Sequence, residues 1–177
     1  VIPTVGNHNV MDAMSAYAVA TRLGFDPARV CKNLGGYEVS GWRQNFVEKN
    51  GALIIEDCYN AAPDSMKAAI DTLVSVAKGR KICCFGDMLE LGDDTDNLHR
   101  EVGEYAKEKC VDCMWTYGEK ASFIAKGFGD GAENFATKQE LTDYVIKNLK
   151  AGDTIVLKRS HSRKFEDILE RIYKYWE

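Results

Sequence analysis

Several features that would settle a function at once are missing from these 177 residues. No apolar run approaches the roughly 20 residues needed to cross a bilayer, and no positive-then-apolar leader opens the chain. We therefore expect a cytosolic protein with no membrane insertion. No lysine-arginine cluster offsets the net charge of −4, which argues against a nucleic-acid partner. There is no Gly-x-x-x-x-Gly-Lys-Ser/Thr phosphate loop and no Gly-x-Gly-x-x-Gly dinucleotide fingerprint. Internal repeats and low-complexity stretches are absent as well. The six cysteines lack the spacing of a metal set: Cys110 and Cys113 have no second pair or nearby histidine to complete a zinc site. Cys83 and Cys84 are neighbours in an apolar strand and must point to opposite faces. Free, mostly buried thiols are expected, with no metal site.

What is present fits an ordinary globular domain, with 45% hydrophobic and 28% charged residues. The first residue is Val1, and the opening segment reads as the middle of something, so we expect a piece of a longer protein. Residues 8–23 have the spacing of a helix stopped by Gly24, and Asp26-Pro27 starts another over 28–34. These two helices precede every strand. We expect 1–40 to be terminal helices of a preceding domain plus a linker, with a second domain over 41–177.

From Trp42 onward the pattern changes. Residues 43–48 alternate as a strand, Asn50-Gly51 is a strong hairpin signal, and 52–56 is an apolar strand. Helical spacing follows at 64–77, 97–109, 120–126, 139–149 and 164–176, with strands at 81–85, 112–116, 132–136 and 154–158 between them. Helices alternating with strands in this way predict an α/β fold: a mostly parallel, Rossmann-like sheet with helices on both faces and one antiparallel edge strand.

Ligands of such sheets gather outside the carboxyl ends of the strands. The richest tip is Glu56-Asp57-Cys58-Tyr59-Asn60, where an apolar strand turns polar before Pro63 and a new helix. There Asp57, Tyr59 and Asn60 are candidate site residues, and Asp57 is expected to face a cleft and to contribute little to the core. Asp64 suits the cap of the following helix. Other tips carry Gly86-Asp87 with Glu90, Tyr117-Gly118, and the group Lys158, Arg159, Ser160, His161, Arg163 and Lys164. Basic groups just before a helix suit a carboxylate or a phosphate. His99 lies within a helix, where a histidine is more often structural than catalytic.

Five strings then fall together in an order that resembles the Mur ligases. They are Gly6-Asn7-His8-Asn9-Val10-Met11-Asp12-Ala13, Gly41-Trp42-Arg43, Asp57-Cys58-Tyr59-Asn60-Ala61-Ala62-Pro63-Asp64-Ser65-Met66, Gly86-Asp87-Met88-Leu89-Glu90-Leu91-Gly92 and His99-Arg100-Glu101-Val102-Gly103. The third and fourth are most similar to members that add D-alanyl-D-alanine to a UDP-N-acetylmuramoyl tripeptide in peptidoglycan synthesis. The resemblance implies an ATP- and Mg2+-dependent amide ligase that activates a carboxylate as an acyl phosphate, which the incoming amine then attacks. It also implies that this chain is the third of three domains, after a sugar-nucleotide domain and a central ATP domain, and is inactive alone. By the same likeness Asn9 contacts adenine, Arg43 the ATP phosphates as a catalytic group, and Asp57 the ribose. Tyr59, Asn60, Lys158 and Ser160 would bind the dipeptide. The chain departs from the family pattern at Asp12 and Ala62, and at Lys158-Arg159-Ser160-His161 where Lys-Gly-Ser-Arg is usual. A folylpolyglutamate synthase or another ligase of the superfamily, and a non-catalytic α/β binding module, remain alternatives.

Overall fold

The computed structural model describes residues 1–38, 43–160 and 166–176, with the side chains of 166 and 167 excepted. The chain divides into two compact units, Val1–Ser40 and Gly41–Glu177.

The first unit is a pair of helices, α1 (Asn7–Arg22) and α2 (Pro27–Gly35). Asp26 caps α2 by accepting from the Arg29 N–H at 2.8 Å, with Pro27 in the first turn, where its missing N–H costs nothing. Ala13 is the buried residue of α1, while Val10, Met11, Met14 and Val19 are exposed.

The second unit is a six-stranded sheet in the order β1-β2-β6-β3-β4-β5. Its strands are β1 (Asn45–Lys49), β2 (Ala52–Asp57), β3 (Lys81–Gly86), β4 (Cys113–Tyr117), β5 (Ala132–Phe135) and β6 (Thr154–Lys158). The β1–β2 pair is antiparallel and every other pair is parallel, as expected from the sequence. Asn50 and Gly51 both take left-handed φ, +50° and +75°, which is the turn geometry an Asn-Gly hairpin selects. β1 begins two residues later than the alternation suggests, because Gln44 has φ +46° and breaks the extended backbone.

Alternation along the strands builds two cores. Ile55, Cys83, Phe85, Met114 and Val156 pack against α3 (Pro63–Val76), α4 (Thr95–Glu108) and α5 (Ala121–Phe128). On the other face Ile54, Ile82, Cys84, Trp115, Ile155 and Leu157 pack against α6 (Lys138–Asn148) and α7 (Glu166–Tyr175). Cys83 and Cys84 therefore serve opposite cores, and burial raises both thiols above their ordinary range. α6 starts with a capping box, Thr137 and Glu140 each bonding the other's backbone N–H, at 3.2 and 3.1 Å. The 97–109 helix of the sequence pattern starts earlier, at Thr95, because a 3-10 turn over Gly92–Asp94 feeds into it.

At the amino ends of the strands, Arg80 grips Asp153 through Nε at 3.1 Å and Nη2 at 2.6 Å, and also donates to the Asn148 carbonyl. This fork ties the turn before β3 to the turn before β6. A cleft of about 200 Å³ lies at the same end, lined by Gly51, Leu53, Val76, Lys78, Gly152 and Asp153 among others. Among the described residues, no helix is long and apolar enough to cross a membrane.

Candidate functional site

The chemistry-bearing residues collect at the opposite, carboxyl end. The helices after β2 and β3 lie on one face, and the helix after β6 lies on the other. That divergence makes the tip of β6 a topological switch point, where ligands of such sheets gather.

Asp57 and Lys158 are the last residues of neighbouring strands and sit directly in register. Both share strand parity with the core on the α3 side, so their side chains emerge on the same face. Lys158 Nζ donates to Asp57 Oδ2 at 2.6 Å and to the Asn60 carbonyl at 2.8 Å. The two side chains are only 4% and 12% exposed, which makes this a buried ion pair. The expectation that Asp57 matters little to the core is therefore overturned. Its carboxylate is the counter-charge of a buried ammonium.

Beyond Asp57 the chain turns outward. Tyr59 and Asn60 are exposed, and Asn60 Oδ1 accepts from the Ala61 N–H at 2.9 Å, which turns the loop toward α3. The Arg43 guanidinium lies over the Tyr59 ring at 3.7 Å, a stacked cation–π pair joining the entry to β1 with the exit from β2. α3 is not capped by Asp64, as the sequence suggests. Its N-cap is Ala62, whose N–H donates to Ser65 Oγ at 3.0 Å, and Asp64 sits in the exposed first turn.

On the other side of β6, Arg159 is 7% exposed. Its stem lies against Gly86, where an added Cβ would come within 2.9 Å of Arg159 Cδ, and its guanidinium lies 5.5 Å from the Tyr117 ring centre. Ser160 is half-buried at the end of the described segment. His161, Arg163 and Lys164 fall outside the described residues. Asn9 belongs to the first unit, where it is half-buried and its Nδ2 donates to the Val5 carbonyl at 2.7 Å.

Two further motifs brace the scaffold. Asp87 Oδ1 accepts from the Ala121 N–H at 2.7 Å and so caps α5 from the neighbouring strand tip. Gly118, at φ +126°, leaves that carboxylate its space, since a Cβ there would lie 2.1 Å from Asp87 Oδ1. Glu90 is exposed, with φ +62°. His99 is fully buried: its Nε2 accepts from the Met88 N–H at 3.0 Å, and its Nδ1–H donates to the Thr95 carbonyl at 2.7 Å. Those bonds require the neutral ring, and burial moves its pKa below the ordinary value. The unfolded chain then binds more protons than the folded one as pH drops below about 6.5. We expect the melting temperature to fall between pH 7.5 and 5.5, and the His99→Gln variant to lose part of that pH dependence. Equal slopes for the two proteins would count against this role for His99.

Glu56 is a residue that sequence reasoning missed. It is buried, accepts from Asn45 Nδ2 at 2.8 Å and from the Tyr173 hydroxyl, and so joins β1, β2 and α7. Burial first, then Glu56, raises the Tyr173 pKa. The available signal was parity, because Glu56 must face away from Asp57. Cys58 follows Glu56 onto that face, and its thiol is pushed up to about 12, mainly by burial and then by Asp57 and Glu56. It is a donor to the Leu157 carbonyl and no nucleophile. Among the described residues, no group of three or more His, Cys, Asp or Glu side chains could hold a metal ion.

An open, mostly parallel sheet with one antiparallel edge and a switch point at β6 defines a Rossmann-like α/β domain. The sequence places it further: the family model described as "Mur ligase, glutamate ligase domain" matches residues 42–161, and the chain belongs to the Mur ligase family. The UDP-N-acetylmuramoyl-tripeptide–D-alanyl-D-alanine ligase of Bacillus subtilis (strain 168) is 39% identical over 176 residues, which cover 96% of this chain and 38% of that protein. A crystal structure of MurF from Acinetobacter baumannii superposes with a TM-score of 0.90 at 29% identity, covering 98% of this chain and 39% of that one. MurF ligase from Thermotoga maritima, solved in complex with ADP, matches with a TM-score of 0.74 at 26% identity over 90% of this chain and 36% of its own. The chain thus spans about 38% of the length of the curated relatives it matches.

Proposed function

We propose that this chain is the C-terminal domain of an ATP-dependent amide ligase that adds D-alanyl-D-alanine to a UDP-N-acetylmuramoyl tripeptide, in the cytoplasm, for peptidoglycan synthesis. The observation that carries the reading is the clustering of Arg43, Asp57, Tyr59, Asn60 and Lys158 around the carboxyl tips of β2 and β6, in a chain similar to the Bacillus subtilis ligase over 96% of its length. Residues 1–40 are then the last helices of the central ATP domain, and residues 41–177 the domain that brings the dipeptide.

The residues fit a nucleotide. A guanidinium held flat on an aromatic ring presents its edge N–H groups to phosphate oxygens. A carboxylate has about four lone-pair sites, so Asp57 bound to Lys158 retains acceptor capacity for a ribose diol. Asn9 has the donor and acceptor pair needed to read an adenine edge. Tyr59, Asn60 and Ser160 would face the dipeptide, and the resemblance puts Lys158 with them. ATP would supply the phosphoryl group that activates the tripeptide carboxylate, leaving ADP, and Mg2+ would offset the phosphate charge. Mg2+ bound through phosphates, waters and one or two carboxylates needs no dense ligand set from this domain.

The test uses the full-length ligase with ATP, Mg2+ and the UDP-muramoyl tripeptide, offering D-alanyl-D-alanine and glutamate in parallel. Mass spectrometry should find the dipeptide adduct. Preferential incorporation of glutamate would favour the glutamate-ligase reading that the family description carries. The isolated 177-residue chain should release no phosphate above a buffer control. Turnover by it would overturn the three-domain reading.

A further inference from the structure

Lys158 is poorly placed to meet a substrate. Two of its three ammonium donors are used, on Asp57 Oδ2 at 2.6 Å and the Asn60 carbonyl at 2.8 Å, and its side chain is 4% exposed. Both acceptors lie on the connection from β2 to α3, about 100 residues away in sequence. We propose that Lys158 is a positioning residue that fixes the Asp57 carboxylate and the Asn60 backbone for the nucleotide, and that it does not itself bind the incoming dipeptide. This rests on the ligase reading above.

The sheet sets the geometry. Asp57 and Lys158 are register partners across β2 and β6, so ladder hydrogen bonds fix the separation of their backbones. A bond to one carboxylate oxygen selects the rotation about Cβ–Cγ, and with it the direction in which the rest of the carboxylate accepts. The second bond pins the loop that carries Tyr59, the surface on which the Arg43 guanidinium rests. One buried ammonium thus orders both groups assigned to ATP, the ribose acceptor directly and the phosphate ligand through its platform. A mobile lysine contacting the dipeptide would need exposure and an uncommitted head, and this one has neither.

The test is a double-mutant cycle in the full-length ligase: Asp57→Asn, Lys158→Met, and both together. KM for ATP, KM for D-alanyl-D-alanine, kcat and melting temperature are measured for each. Lys158→Met should raise KM for ATP about tenfold, comparable to Asp57→Asn, since each removes a hydrogen bond to a charged group. KM for the dipeptide should rise less. The double variant should have an ATP KM no higher than the worse single variant, because both substitutions dismantle one arrangement. Effects on ATP KM that multiply would overturn the proposal. So would a Lys158→Met enzyme whose dipeptide KM rises while its ATP KM stays put. If Lys158→Met alone fails to fold, the comparison of Asp57→Asn with the double variant, which strands no charge, still decides: equal ATP KM supports the proposal and a further rise refutes it. An unmodified enzyme that adds no dipeptide would overturn the ligase reading itself, a result visible before any variant is made.

Discussion

Arg43→Ala in the full-length ligase is expected to lower kcat by roughly 10²- to 10³-fold, the loss typical of removing one preorganised donor at a centre of developing charge. The guanidinium is exposed toward solvent yet seated over Tyr59 at 3.7 Å, so little reorganisation is needed when phosphate charge builds. A group that bound ground and transition states equally would change KM alone. Tyr59→Ala should cost much less. An exposed cation–π contact contributes about 0.5–1 kcal/mol, or a factor of roughly two to five. Steady-state phosphate release at saturating tripeptide and dipeptide measures both. An Arg43→Ala enzyme with unchanged kcat and only a raised ATP KM would remove Arg43 from the catalytic role and leave it as a binding group.

Much of this arrangement was legible before any coordinates. An Asn-Gly pair between two alternating runs specifies a hairpin, and strands separated by helical segments permit little except right-handed parallel crossovers. Apolar strands that end in Asp57 and Lys158 mark carboxyl tips, the general location of ligands in such sheets. Strand order is harder to read, because β6 inserts between β2 and β3 from far along the chain. Without that order the Asp57–Lys158 pair is invisible, and each residue looks like a separate surface charge. The consequence reaches the design of experiments. Asp57→Ala leaves a buried ammonium unpaired, which typically costs about 3–5 kcal/mol, so stability and ATP affinity should fall together. Asp57→Asn keeps a polar partner at that position and is the cleaner probe.

The Gly86-Asp87-Met88 string illustrates the opposite case. It identifies the family well, yet its groups hold the scaffold: the Asp87 side chain caps α5, and the Met88 backbone N–H ends on His99. A motif can be specific because it anchors several elements at once. Sequence spacing alone does not separate those two origins. Burial does, as at His99, whose ring has no face toward water.

The largest expected effect on the fold lies in the helix after that motif. Gly103 sits inside α4, where alanine would ordinarily be better by about 1 kcal/mol. Here a Cβ would lie 2.0 Å from the Ile124 carbonyl oxygen and 2.7 Å from the Phe128 nitrogen. Both are backbone atoms of α5 and cannot swing aside as a side-chain tip does. Gly127 makes the reciprocal approach, its added Cβ falling 2.1 Å from the Arg100 carbonyl oxygen. The two helices therefore pack backbone to backbone through a pair of glycines, and either Cβ would force them apart on the order of 1 Å or more, given contact optima near 3.5–4.0 Å. α5 cannot drift freely, because Ala121 at its start is bound to Asp87 at the tip of β3. Overpacking of this kind costs about 1–3 kcal/mol or more, which outweighs the propensity gain. Gly103→Ala should lower the melting temperature of this chain by several degrees, roughly 2–4 °C per kcal/mol at this size. Gly103→Val, with a larger and β-branched side chain, should leave little folded protein. Thermal melts followed by circular dichroism measure both. A Gly103→Ala protein as stable as the parent would mean that α4 and α5 separate at no cost, and the glycine pair would lose its explanation.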